Sequence, residues 1–157
     1  MATEIERKFV LNVPLVFDQE LHGGKRIIQG YVALDANGTE LRVRQMASQA
    51  YLTVKSGKGL VRTEVEMEIS AEQFDELWAF TEGRRIEKVR YYMTREGQGV
   101  EIDIYEGALS GYIVAEAEFS SEAAAADFRV PEDWAVMEVT NDARFKNQAL
   151  AVNGWPQ

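Results

Sequence analysis

The chain has 157 residues, 46% hydrophobic and 27% charged, which suits one soluble domain over residues 1–157 with a buried core of its own. Its net charge of −9 argues against nucleic-acid or anionic-membrane binding through the overall field, while leaving room for a local basic cavity. With no cysteine and a single histidine, His22, disulfides, thiolate catalysis and zinc sites built on cysteine or histidine are excluded. No apolar run approaches the ~18 residues of a membrane-spanning helix. The acidic start, Met1-Ala2-Thr3-Glu4, is unlike a signal peptide, so the expected compartment is the cytoplasm.

Eight strand candidates run along the chain, at about 3–11, 26–35, 39–46, 50–56, 61–69, 85–95, 99–106 and 112–119. His22-Gly23-Gly24 reads as a turn before the second, and the stretch from Pro14 to Glu20 as a short helical turn. Ala36-Asn37-Gly38, Ser56-Gly57-Lys58-Gly59 and Glu96-Gly97-Gln98-Gly99 are tight connections that imply antiparallel neighbours. Ser70, with Gln73 three residues on, caps a helix whose apolar face carries Phe74, Leu77 and Trp78. Ser120 or Ser121 caps an alanine-rich helix near 121–128. A last helix is expected from about Asn141 to Val152, with Phe145, Ala149 and Val152 on one side. The expected fold is a mainly β, closed eight-stranded antiparallel barrel with the helices packed outside.

Ionisable residues recur at i and i+2 in these strands, which places them on one face of the sheet. In one strand such alternation ordinarily puts charges toward solvent. Six or seven strands share it here, and the helices need the apolar face, so the charges are expected to line the lumen. The cationic set is Lys8, Arg42, Arg44, Lys55, Arg62, Lys88 and Arg90. The anionic set is Glu4, Glu6, Glu64, Glu66, Asp103, Glu116 and Glu118. A buried charge cluster serving stability alone is rarely favourable compared with apolar packing. Arginine forks and lysine point charges suit phosphoryl oxygens. Carboxylates would repel such a chain unless a hard cation, Mg2+ or Mn2+, lay between them. Phosphoryl transfer to water follows as the reaction class.

The same residues resemble the CYTH, or triphosphate tunnel metalloenzyme, superfamily. Its hallmark Glu-x-Glu-x-Lys is Glu4-Ile5-Glu6-Arg7-Lys8 here. Gln29-Gly30-Tyr31, Leu41-Arg42-Val43-Arg44, Leu52-Thr53-Val54-Lys55, Arg62-Thr63-Glu64-Val65-Glu66, Glu87-Lys88-Val89-Arg90-Tyr91, Glu101-Ile102-Asp103, Glu116-Ala117-Glu118-Phe119 and Asp142-x-Arg144-Phe145-Lys146-Asn147 follow in the family's order. The resemblance implies a closed eight-stranded tunnel and a small-molecule triphosphate substrate. It also implies basic residues on the triphosphate and glutamates on Mg2+ or Mn2+. Length and the Glu82–Lys88 segment look most like the short bacterial inorganic tripolyphosphatases. Thiamine or nucleoside triphosphatase, class IV adenylate cyclase and a non-catalytic polyphosphate-binding module are the alternatives.

On this reading Lys8, Arg42, Arg44, Lys55, Arg62 and Arg90 hold substrate, joined by Arg144 and Lys146 as a lid or plug. Glu4, Glu6, Glu116 and Glu118 ligate metal directly. Glu64 and Glu66 ligate it or orient water, and Asp103 joins the metal shell or orients a lysine or arginine. The base is water oriented by a glutamate, or Lys88 with its pKa lowered by neighbouring cations and Tyr31 as proton partner.

Overall fold

Strands with one apolar and one charged face form a sheet that curls until its two edges meet. The computed structural model describes residues 2–11, 22–57, 60–134 and 136–157, with Ala2 and Val136 as backbone only. The expected helical turn at 14–20 lies outside the described residues. Eight strands build the barrel: β1 (Ala2–Leu11), β2 (His22–Leu34), β3 (Glu40–Met46), β4 (Gln49–Ser56), β5 (Val61–Ile69), β6 (Arg85–Arg95), β7 (Gln98–Glu106) and β8 (Ile113–Glu118). Their order is β5-β4-β3-β2-β6-β7-β8-β1, every pair antiparallel. Closure falls to β1: Ala2–Ile5 pair with β5 while Glu6–Leu11 pair with β8. Glu96 and Gly97, at φ 52° and 73°, form the β6–β7 turn, whose twist matches the strands it joins.

Three short helices cover the apolar outside or an end. The first, α1 (Ala71–Trp78), has the expected capping box between Ser70 and Gln73. It packs Phe74 against Val43 and Ala50, with Trp78 stacked 5.3 Å from the Phe74 ring. The second, α2 (Glu122–Asp127), is capped by Ser121. Its Ala125 joins Phe9, Ile102, Ala115, Ala117 and Trp134 in the largest apolar cluster. Truncating a buried ring such as Phe74 would cost about 3–5 kcal/mol. The third, α3 (Asn147–Asn153), differs in placement: its Leu150 packs on Ile86, Tyr105 and Val114, which share the inward parity of Lys88, Asp103 and Glu116. It therefore closes one end of the barrel.

Three sequence expectations need correction. His22-Gly23-Gly24 is strand, not turn: His22 and Gly23 pair with Tyr92 and Tyr91. Gly23 and Gly24, at φ 87° and 92°, serve a bulge before Lys25, and a Cβ on Gly24 would stand 3.0 Å from the Tyr91 ring. The last helix starts later and is broken. Asp142 caps a single 3-10 turn (Ala143–Phe145), Lys146 is extended at ψ 142°, and only then does α3 begin. Lys8 Nζ takes the Phe145 carbonyl at 2.6 Å, and Leu150 rather than Val152 is the buried residue. Finally, a ninth strand, β9 (Val136–Glu138), runs beside Phe9–Leu11 of β1. No helix among the described residues is long and apolar enough to cross a membrane.

Candidate active site

The inward positions converge on one cavity of about 220 Å³. Seven basic side chains line it: Lys8, Arg42, Arg44, Lys55, Arg62, Arg90 and Lys146. So do eight acidic ones: Glu4, Glu6, Glu40, Glu64, Glu66, Glu101, Glu116 and Asp142. Strand register decides who meets whom. Arg42, Thr53 and Glu66 are level on β3, β4 and β5. The Thr53 hydroxyl accepts from Arg42 Nη2 (3.4 Å) and donates to Glu66 Oε2 (3.0 Å). Lys55 Nζ lies between Glu4 (2.9 Å) and Glu64 (3.3 Å). Arg44 Nε donates to Gln29 Oε1, and Gln29 Nε2 donates to the Tyr31 hydroxyl, each at 3.0 Å.

Arg42 Nε and Arg62 Nη2 are buried donors in this lining without a hydrogen-bond acceptor among the described residues. Arg62 Nη2 stands 3.5 Å from Glu40 Oε2, an ion pair without hydrogen-bond geometry. Buried donors of this kind cost free energy unless an oxygen arrives to accept from them.

Arg90, on the lining, belongs to a buried triad whose other two members lie behind it. Asp103 accepts from Lys88 Nζ (2.7 Å) and from Arg90 Nε and Nη2 (2.7 and 2.8 Å). Burial alone would raise the Asp103 carboxyl, but Arg90 and Lys88 outweigh it and hold the group ionised far below the usual range. Burial, assisted by Arg90 and Arg44 and opposed by Asp103, brings the Lys88 ammonium down to about 7. Burial, then Glu40, pushes the Tyr31 phenol well above its ordinary value, so it is a neutral hydroxyl on the cavity wall.

The carboxylates shift one another's ionisation. Burial, then the neighbouring Glu116, raises Glu6 to about 8, with Glu4 adding to the effect. Among the described residues no ion pair or hydrogen bond reaches the Glu6 carboxylate. Glu118, at the rim, is raised by burial and by Glu4, Glu101 and Glu64. Glu116 goes the other way: Lys8 and Arg90 overcome the effect of burial and lower it to about 2. Carboxylates that oppose one another's ionisation are a donor set that suits a hard cation. No three of them converge into a ready-made cage among the described residues.

The structure thus brings together Glu4, Glu6, Lys8, Tyr31, Arg42, Arg44, Lys55, Arg62, Glu64, Glu66, Arg90, Glu116 and Lys146. It does not bring in four others. Asp103 is engaged by two cations and so is unsuited to the metal shell, and Lys88 is sealed behind it. Glu118 is exposed beyond the lining, and Arg144 is an exposed side chain paired with Asp142 at 2.7 Å. Nor does any hydrogen bond among the described residues join Lys88 to Tyr31. Sequence reasoning gave no role to Glu40 or Thr140, and none to Glu101, Asp142 and Asn147, although these three stand in the motifs that carry the family resemblance. Glu40 and Glu101 share parity with Arg42 and Asp103 and were legible on that ground. The other three depend on how the segment after β9 crosses the barrel.

Residues 2–144 match the family described as CYTH domain. The chain is 45% identical over 152 residues to an inorganic triphosphatase of Nitrosomonas europaea, covering 96% of this chain and 98% of that one. It is 36% identical over 155 residues to an inorganic triphosphatase of Acetivibrio thermocellus, covering 98% and 96%. A crystal structure of an inorganic triphosphatase superposes with a TM-score of 0.71 at 42% identity, covering 99% of both chains. A charged lumen inside a closed antiparallel barrel, and sequence agreement along nearly its whole length, lead to one assignment: this chain belongs to the CYTH domain family.

Proposed function

We propose that this chain, as one domain over residues 1–157, hydrolyses inorganic tripolyphosphate to pyrophosphate and phosphate in the cytoplasm, dependent on a divalent cation. The carrying observation is the lumen itself, with buried arginine donors at Arg42 and Arg62 that have no acceptor among the described residues. The two relatives named inorganic triphosphatase, each matched over nearly its full length, support the substrate class.

Lys8, Arg42, Arg44, Lys55, Arg62 and Arg90 hold phosphoryl oxygens and balance charge as the terminal P–O–P bond loosens. Lys146 joins them from the segment that crosses the barrel end. Glu4, Glu6 and Glu116, with Glu118 at the rim, would hold Mg2+ or Mn2+. Such a cation would supply screening between phosphate and carboxylate and Lewis-acid polarisation of a phosphoryl oxygen. Glu64 and Glu66 remain paired with Lys55 and Arg42 and set the direction of those cations. The attacking water's oxygen bonds the terminal phosphorus, pyrophosphate leaves with the bridging oxygen, and the water's proton passes to a base. Lys88 is that base, since its ammonium is the one held near neutrality. To accept the proton, its Nζ must turn from Asp103 toward the lumen, where the neutral Tyr31 hydroxyl can relay.

Phosphate release from tripolyphosphate, ATP and thiamine triphosphate, each with and without Mg2+, tests this. Selective Mg2+-dependent release from tripolyphosphate is expected. Cyclic nucleotide formation from ATP, or tight binding without turnover, would replace the proposal.

A further inference from the structure

Asn147 is the first residue of α3 and lines the cavity, yet neither the charge pattern nor the reaction uses it. Its side chain is held from behind. The Tyr105 hydroxyl donates a short hydrogen bond to Asn147 Oδ1. Tyr105 is buried, and burial, then Asp103, raises its phenol far above the ordinary value, so the hydroxyl keeps its proton and acts as donor. An amide whose oxygen is taken presents its NH2 on the other side. That NH2 finds no hydrogen-bond partner among the described residues, and the residue lines the cavity. It therefore opens on the cavity.

Its place in the barrel gives it a task. Leu150 of the same helix packs with Ile86, Tyr105 and Val114, and this apolar layer closes the lumen. Trp155 stacks on Tyr112 at 3.9 Å and meets the Phe145 ring at 5.2 Å, fixing the segment on both sides of Asn147. A chain of phosphoryl groups in the lumen ends against this closed side. There Asn147 offers two N–H donors and no charge, whereas most other donors on the wall are ammonium and guanidinium groups.

We propose that Asn147 Nδ2 donates to the phosphoryl group lying against the α3-closed end of the barrel, and that Tyr105 is the positioning residue that turns the amide toward it. The inference rests on the triphosphatase reading and adds the residue that meets the end of the phosphate chain. A buried carboxylate at this position would keep the Tyr105 hydrogen bond and repel the phosphate.

Steady-state kinetics with tripolyphosphate and saturating Mg2+ on wild type, Asn147→Asp, Asn147→Ser and Tyr105→Phe test it, with melting temperature as the control for folding. Both Asn147 variants should raise KM by about tenfold or more with kcat within about threefold, as expected for a lost hydrogen bond to a charged group. Tyr105→Phe should raise KM by about threefold at unchanged kcat, because the donor stays but its orientation is released. A folded Asn147→Ser with KM within about twofold of wild type overturns the assignment. Failure of the triphosphatase reading looks different: wild type itself then releases no phosphate. In that case calorimetric titration with tripolyphosphate decides, about tenfold weaker binding by Asn147→Ser supporting the assignment and equal binding, or none by wild type, ending it.

Discussion

Lys88 Nζ and Asp103 Oδ2 lie 2.7 Å apart behind the lumen wall, their side chains 0% and 1% exposed. Arg90 grips the same carboxylate with two nitrogens, so one buried anion serves two buried cations. Asp103→Asn keeps the shape, leaves Lys88 without its ion-pair partner and leaves Arg90 with Glu101 alone. The expected loss is about 3–5 kcal/mol of unfolding free energy, read from urea denaturation at pH 7. Were Asp103 a metal ligand, the loss would appear in the Mg2+ requirement with stability intact.

Lys88 sets the pH profile if it is the base. Its folded-state pKa is lowered to about 7, chiefly by burial, so the proton is lost as pH rises through 7. Turnover should climb by about tenfold per unit below pH 7 and level off above it. Lys88→Arg keeps a charge that is not given up in proteins, so turnover should fall by about 100-fold or more with the ascending limb removed. Tyr31→Phe should share part of that defect. Rates from pH 6 to 10.5 on the three proteins check it; near-wild-type turnover in Lys88→Arg returns the base role to a glutamate.

Glu4 and Glu6 are alike in sequence and unlike in place. Glu4 pairs with Lys55 at 2.9 Å, whereas Glu6 has no ion-pair partner among the described residues. Glu6→Gln should abolish hydrolysis at limiting Mg2+ and leave the metal-free protein at least as stable as wild type. Glu4→Gln should impair both, because it also releases Lys55. Turnover against Mg2+ concentration, beside melting curves in chelator, separates the two.

Gly30 precedes Tyr31, and a Cβ there would fall 2.5–2.8 Å from three side-chain atoms of Thr81. Thr81 cannot easily yield: its hydroxyl donates to Trp78 O (2.7 Å) and accepts from Arg85 Nε (2.9 Å). Gly30→Ala should therefore cost about 1–3 kcal/mol by overpacking and shift Tyr31 on the lumen wall. Adding Thr81→Gly should restore part of the stability in denaturant melts. Equal stability of Gly30→Ala and wild type would show that the strand moves freely.

Arg144 was expected on the substrate, and the structure leaves it in solvent with Asp142. Arg144→Ala should change KM and kcat by no more than about twofold. Its neighbour two positions on is the contrast: Lys146 lines the cavity, so Lys146→Ala should raise KM for tripolyphosphate in the same assay.

Which residues face inward was determined by the sequence alone. A strand alternates its faces every residue, so Glu4, Glu6 and Lys8, or Arg42 and Arg44, had to share a side. Eight such strands with tight turns leave a closed barrel as the way to pair every edge. Depth along the lumen was another matter. Parity treats Asp103, Lys88 and Glu116 alike, and only cross-strand register separates the sealed Lys88–Asp103 pair from the open wall. The segment from Val139 to Asn147 was beyond local pattern too. Its path over the barrel end follows from contacts between residues more than 130 positions apart, such as Lys8 Nζ with the Phe145 carbonyl. Helix propensity near the C-terminus predicted one continuous helix. Packing broke it, because the Phe145 carbonyl, taken by Lys8 Nζ, and the buried Leu150 are fixed by tertiary partners that no local window contains.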